Sequence, residues 1–200
     1  GNSTSTPVFD YAVGKYHLHV DADTILYKVA AVNEKEQCVV KHKKSGRETT
    51  FETFTDFHTW LEENPKWKLQ DFNVRNIGFA FKSLKDSVEV LRSLPFVSDV
   101  TFYVGGNSNY RRTMYPEYKG KRKPKPKLFN HVYKYAVNYT KAVVSYNCEA
   151  EDVAAACCFA GTSLSEPHKS TTVLAAIDKD LDMIAGWRYN YNRPELGVYW

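Results

Sequence analysis

Two short apolar runs constrain this chain more than anything else in it. Residues 16–20 (YHLHV) and 173–177 (VLAAI) each stop at an aspartate, Asp21 and Asp178. Apolar runs of this length read as strands buried in a sheet, and strand and helix patterns alternate between them. Residues 24–31 have helical spacing, with Asp23 or Thr24 as the cap. Residues 38–42 and 49–51 flank Lys44-Ser45-Gly46 and predict a hairpin, and a helix over about 56–63 stops before Pro65. Residues 74–81 read as a strand, Leu84, Val88 and Leu91 as a helix face, and residues 100–104 as a strand ending at Gly105-Gly106. A helix over 128–141, a short strand over 142–144 and an Ala-rich helix over 149–159 follow, and residues 187–200 read as a hairpin around Arg193-Pro194. The alternation predicts an α/β fold, a central, mainly parallel, twisted sheet flanked by helices. Ligands of such sheets bind beyond the carboxyl ends of the strands, where Asp21 and Asp178 fall.

Acids gather in three separated places: Asp21 and Asp23; Glu149, Glu151 and Asp152; Asp178 and Asp180. Magnesium prefers hard carboxylate oxygens, with waters completing its shell. Two such ions, about 4 Å apart, can activate a water and stabilise the leaving oxygen of a phosphodiester. Glu149 and Asp152 share a helix face while Glu151 points about 100° away from Asp152, so the three need not reach one ion. The helix dipole alone favours acids in a first turn, but it does not account for Asp178 and Asp180 after a buried strand. Crowded carboxylates repel one another, so a bound cation is expected to stabilise the fold. Between the first two groups, residues 110–127 (YRRTMYPEYKGKRKPKPK) carry eight Lys or Arg against one acid, Glu117, in a chain with a formal charge of only +4. The rest of the chain is therefore net acidic, and a basic strip on an acidic body is a better nucleic-acid signature than a high overall pI, although a bare charge run taken alone reads first as a solvated loop. Pro116, Pro124 and Pro126 rule out one uninterrupted helix there.

Other chemistries find little support. Cys38, Cys148, Cys157 and Cys158 lack CxxC spacing and read as reduced core residues. His17 and His19 alternate along a strand, one expected on the core side, with no partner at zinc spacing. There is no GxSxG, and Gly105-Gly106 is not followed by a phosphate-loop lysine. No apolar stretch approaches the roughly 20 residues of a membrane span, and no secretory signal opens the chain; a cytoplasmic protein without a membrane partner is expected.

With these residues in view, the chain resembles the 5′ nucleases, a family of PIN-like fold comprising phage 5′ to 3′ exonucleases, flap endonucleases and the nuclease domain of bacterial DNA polymerase I. Four stretches carry the resemblance in the family's order: HVDADTILYKVA around Asp21, NYRRTMYPEYKGKRKPKP around Tyr118, CEAEDVAAAC around Glu149 and AAIDKDLDMIAGWRYNY around Asp178. The likeness is greatest to the phage exonucleases and spans about residues 16–191. It implies one catalytic domain over 1–200, with a loose leader over 1–15 and a basic arch over 107–127. It also implies metal ligands at Asp21, Glu149, Glu151, Asp152, Asp178 and Asp180, holding two Mg2+ ions that Mn2+ can replace. In the resulting assignment Asp21, Glu149, Asp152 and Asp178 hold the main ion, and Glu151 and Asp180 place the second. Arg111, Tyr118, Lys119 and Arg122 are the implied nucleic-acid contacts, with Lys119 and Arg122 acting at the scissile phosphate beside Asp21 and Asp178. A base can stack on Tyr118 while the cations neutralise phosphate; Tyr118 packed under the arch is the alternative.

Two departures stand out. Many members of the family carry an aspartate just after the strand at 100–104, where this chain has Gly105, Gly106 and Asn107. The family also continues into a helix-three-turn-helix element that grips duplex, which these 200 residues lack; either a longer polypeptide or a partner chain supplies it, or the molecule binds duplex weakly and holds one metal well. The expected activity is Mg-dependent hydrolysis of DNA at or near free 5′ ends, as an exonuclease or flap endonuclease. RNA in hybrids is a further candidate substrate, and the implied setting is phage DNA replication in a host cytoplasm. Two alternatives stay open: a nucleic-acid-binding protein that has lost catalysis, and a PIN-like ribonuclease acting on single-stranded RNA.

Overall fold

The first predicted strand lies at the centre of the sheet. The computed structural model describes residues 5–33, 35–51, 54–75, 77–106 and 128–200, with backbone alone at 35–38, 54–58, 71–75 and 179–180. The chain runs β1 (Tyr16–Asp21), α1 (Asp23–Asn33), β2 (Lys35–His42), β3 (Glu48–Phe51), α2 (Phe54–Glu63), β4 (Trp67–Arg75), α3 (Ile77–Arg92), β5 (Val97–Gly105), α4 (Phe129–Thr140), β6 (Val143–Ser145), α5 (Ala150–Phe159), β7 (Thr172–Ala175), β8 (Trp187–Tyr189) and β9 (Val198–Tyr199). Six strands form one sheet in the order β6-β5-β1-β7-β8-β9. The pairings from β6 to β8 are parallel, and β9 is antiparallel to β8. The α/β architecture read from the sequence, a mainly parallel sheet flanked by helices, is therefore present. Among the described residues no helix is long and apolar enough to cross a membrane.

Period-two alternation divides β1 between two layers. Tyr16, Leu18 and Val20 are fully buried in the larger core, with Leu26 of α1, Leu84 and Val88 of α3 and Val132 of α4. The opposite face of the sheet lies under α5, which buries Ala150, Ala154, Ala155 and Cys158 with Tyr103, Leu174 and Ala176. Small side chains at these helix positions allow α5 to lie close to the sheet. His17 and His19 share one face, their rings stacked at 4.2 Å, because residues two apart on a strand point the same way; the expectation that only one faces the core side is corrected. Residues 5–15 form neither helix nor strand, yet Phe9 is buried among Tyr16, Phe96 and Trp187, so this part of the expected loose leader is anchored.

A second sheet of three strands, ordered β3-β2-β4 and antiparallel throughout, intervenes between α1 and α3. It confirms the hairpin at Lys44-Ser45-Gly46. The strand expected over 74–81 is wrong: β4 ends at Arg75 and α3 begins at Ile77. Val74, Ile77, Phe79 and Phe81 mimic strand spacing, but pairing with β2 accounts for Val74, while buried Ala80 extends the helical series Leu84, Val88, Leu91 backwards. The closing hairpin is present as β8 and β9, with Pro194–Leu196 forming a 3-10 turn between them.

Candidate functional site

Asp21 is the last residue of β1 and is 4% exposed. Its backbone is fixed on several sides. Ala22 N–H donates to the Tyr103 carbonyl at 2.9 Å, and Tyr191 O–H donates to the Asp21 carbonyl at 2.9 Å. The Tyr191 hydroxyl also pairs with Thr24 Oγ1, and burial holds its phenol well above the ordinary range. Asp21 Oδ1 accepts the Asp23 N–H at 3.2 Å, so the first turn of α1 leans on the carboxylate itself.

Asp23 explains the missing acid after β5. Its Oδ1 accepts the Gly105 N–H at 3.0 Å, and a Cβ at position 105 would sit 3.2 Å from its Oδ2. A Cβ at position 106 would lie 2.6 Å from Val144 Cγ1, closer than carbon atoms can approach. The end of β5 is thus tightly packed at Gly106, and among the described residues the carboxylate of Asp23 in α1 holds the Gly105 amide.

Across the sheet, Glu149 is the N-cap of α5 in extended conformation, four residues beyond the end of β6. Glu151 in the first turn is half-buried, and its pKa is pushed up to about 8. Burial is the largest cause, followed by a side-chain hydrogen bond with Glu149 and the charges of Glu149, Asp21 and Asp178. Four carboxyl groups from three distant segments therefore share one electrostatic neighbourhood beyond the carboxyl ends of β1, β6 and β7. Asp152 is exposed, and Glu151 is the inward member of the pair.

Asp178 lies three residues past β7, at the start of a turn continued by the 3-10 helix Lys179–Met183. Arg188 of β8, 5% exposed, fastens that turn. Its Nη2 donates to the Asp178 carbonyl and lies 3.5 Å from the Ala176 carbonyl; its Nη1 is 3.1 Å from Asp182 Oδ1. Asp182 also accepts the Tyr199 hydroxyl at 3.2 Å. Arg188 and Tyr191 were not singled out from sequence, although both fall in the stretch around Asp178. Arg111, Tyr118, Lys119, Arg122 and Asn107 lie outside the described residues, as does the side chain of Asp180.

Among the described residues no group of three or more His, Cys, Asp or Glu is already closed into metal-holding geometry. The donors nevertheless suit a hard divalent cation: all are carboxylates, and the raised pKa of Glu151 registers repulsion that such a cation relieves. His17 and His19 are engaged elsewhere. His17 Nε2 is 2.6 Å from Thr101 Oγ1 and His19 Nδ1 is 2.8 Å from the Tyr103 hydroxyl, with burial pushing His19 down to about 4. Cys148 and Cys157 are exposed, which corrects their reading as core residues, while Cys158 is buried as expected. Neither a protein-family model nor a curated protein matches the chain.

Proposed function

We propose that the chain is a metal-dependent 5′ nuclease of PIN-like fold, hydrolysing phosphodiester bonds of DNA at or near free 5′ ends, with RNA in hybrids as a further substrate. The observation that carries this reading is the meeting of Asp21, Glu149, Glu151 and Asp178 beyond the carboxyl ends of parallel strands. These four residues would hold Mg2+ or Mn2+, with Asp180 and Asp152 available to its waters or to a second ion. When bound, the cation supplies the Lewis acid that activates water and steadies the leaving 3′ oxygen. Asp21 presents a carboxylate on a backbone that cannot shift. Burial and the neighbouring carboxylates push the pKa of Glu151 up to about 8, and a bound cation would lower it. Arg188 keeps the Asp178 turn against β8, and Arg111, Tyr118, Lys119 and Arg122 position the nucleic-acid strand.

The test is cleavage of 5′-flap, blunt-duplex and single-stranded DNA with magnesium, manganese or chelator, comparing the chain with Asp178→Asn. Turnover is expected to fall by about 10²-fold or more, the scale of losing a transition-state contact, while salt-sensitive binding stays the same. Equal losses of both would sink this division of labour. A second reading, binding without turnover, draws on one specific observation: the end of β5 offers Asp23 only a backbone amide. Binding without product from any of the three substrates, with either metal, would favour it. Cleavage confined to single-stranded RNA would favour the ribonuclease.

A further inference from the structure

We propose that the turn end of the three-stranded sheet is a separate nucleic-acid contact that grips the phosphate backbone of duplex DNA. Two stretches that are far apart in sequence, 41–47 (KHKKSGR) and 65–70 (PKWKLQ), meet there, and neither contains an acid. Antiparallel pairing sets Lys41 opposite Lys68 and His42 opposite Trp67, while Lys43 N–H donates to the Lys66 carbonyl at 2.9 Å. Lys43, Lys44, Arg47, Lys66 and Lys68 are all exposed. Adjacent strands lie about 5 Å apart, so these cations crowd a patch about 10 Å wide. The acids nearest in sequence are Asp71, which follows the second stretch and pairs across from Val39, Glu48, which pairs across from Lys41, and Glu62 and Glu63, which end α2.

The patch is also held in shape. His42 Nδ1 accepts the N–H groups of Lys44 and Ser45 at 3.3 and 3.0 Å, and His42 N–H donates to the Arg47 carbonyl at 2.8 Å. Gly46 takes the left-handed backbone the turn requires, with φ 74°. The Arg47 guanidinium lies 5.8 Å from the centre of the Trp67 ring, and the His42 ring meets that ring edge-on at 5.2 Å. The cations are thus presented by a braced turn.

A dense linear polyanion suits this arrangement. Duplex DNA carries a charge about every 1.7 Å along its axis, and each phosphate neutralised releases counterions. An anionic membrane fits less well: residues 41–48 include no apolar side chain, and Leu69 is a single exposed apolar residue at this end of β4, not the apolar face that surface-bound elements need. An acidic protein fits less well too, because the one large aromatic, Trp67, is already covered by Arg47 and His42 and leaves no anchor for a binding hot spot.

The test needs no hydrolysis, so it does not depend on the carboxylate site. Duplex binding by the full chain in chelator is followed by fluorescence anisotropy between about 50 and 200 mM salt. The comparison variant carries Lys43→Ala, Lys44→Ala, Arg47→Ala, Lys66→Ala and Lys68→Ala, with its fold checked by circular dichroism. The slope of log affinity against log salt is expected to flatten by about 3–5, at about 0.9 per phosphate contact. Lys43→Gln with Lys44→Gln, confined to the exposed turn, is expected to flatten it by about 2 and serves if the larger variant fails to fold. An unchanged slope in the two-site variant, or no duplex affinity in the parent, overturns the proposal. So does tighter binding to phosphatidylserine vesicles than to duplex, lost in the same variants. Failure of the nuclease reading alone would appear differently, as intact duplex binding with no metal-dependent product.

Discussion

All four residues of β7 and five of the six in β1 are buried, whereas β3 alternates exposed and half-buried positions. The six-stranded sheet is covered by α1, α3 and α4 on one face and α5 on the other. Among the described residues, the three-stranded sheet gathers Val40, Phe51, Trp60, Leu61 and Trp67 into a small cluster. The contrast determines what charge can do in each place. Acids at the ends of doubly covered strands lose water and feel one another, which is why Glu151 keeps its proton. Cations at the end of the small sheet remain hydrated and screened, so they act together only on a partner with many charges.

The largest effect should come from the large core. Trp187→Ala removes a 1% exposed side chain and should cost about 3–5 kcal/mol in urea unfolding. Trp60→Ala should instead speed hydrogen exchange in β2, β3 and β4 while β1 and β7 keep their protection; equal acceleration in both sheets would make them one cooperative unit. Arg188→Met leaves the Asp178 carbonyl without its guanidinium donor and should cost about 1–3 kcal/mol. If Arg188 positions the Asp178 turn, Arg188→Lys should regain cleavage ahead of stability.

Two smaller effects have opposite signs in pH. Glu151 has a folded pKa of about 8 against an ordinary 4.5, so between these values the folded chain holds a proton that the unfolded chain has lost. Stability should fall as pH rises through that window and level off above it. Glu151→Gln should flatten the profile and raise Tm near pH 8 by about 2–4 °C; saturating Mg2+ should do the same for the parent. His19, with a folded pKa of about 4 against 6.5, works the other way: the unfolded chain gains a proton first, so stability should fall as pH drops from 6.5 towards 4. His19→Gln should remove that slope, as followed by thermal melts across the range.

Residue type and apolar spacing made β1, α1, β5, α5 and β7 legible, because strands buried on both faces have no polar interruption to confuse. The boundary between β4 and α3 was not legible, since only pairing with β2 separates a strand end from a helix start in a run that suits both. The acids could be read as a group because each follows or abuts an apolar run that reads as a strand, so their convergence followed from the fold class. Arg188 and Tyr191 could not, because an arginine or tyrosine near the end of a chain looks like surface until its carbonyl partners are seen. The basic turn was hidden for a similar reason: α2 divides its two stretches, and neither alone is a charge run.

The central place of β1 has a consequence for synthesis. His17 pairs with Thr172 on one side and Asp99 on the other, so β1 leaves the ribosome about 155 residues ahead of its partner β7. At about 5–20 residues per second the interval is roughly 10–30 s, during which an apolar edge has no β7 to cover it. Such a nascent chain is a natural client for a holding chaperone, and its yield should depend on translation speed more than on the stability of the finished fold.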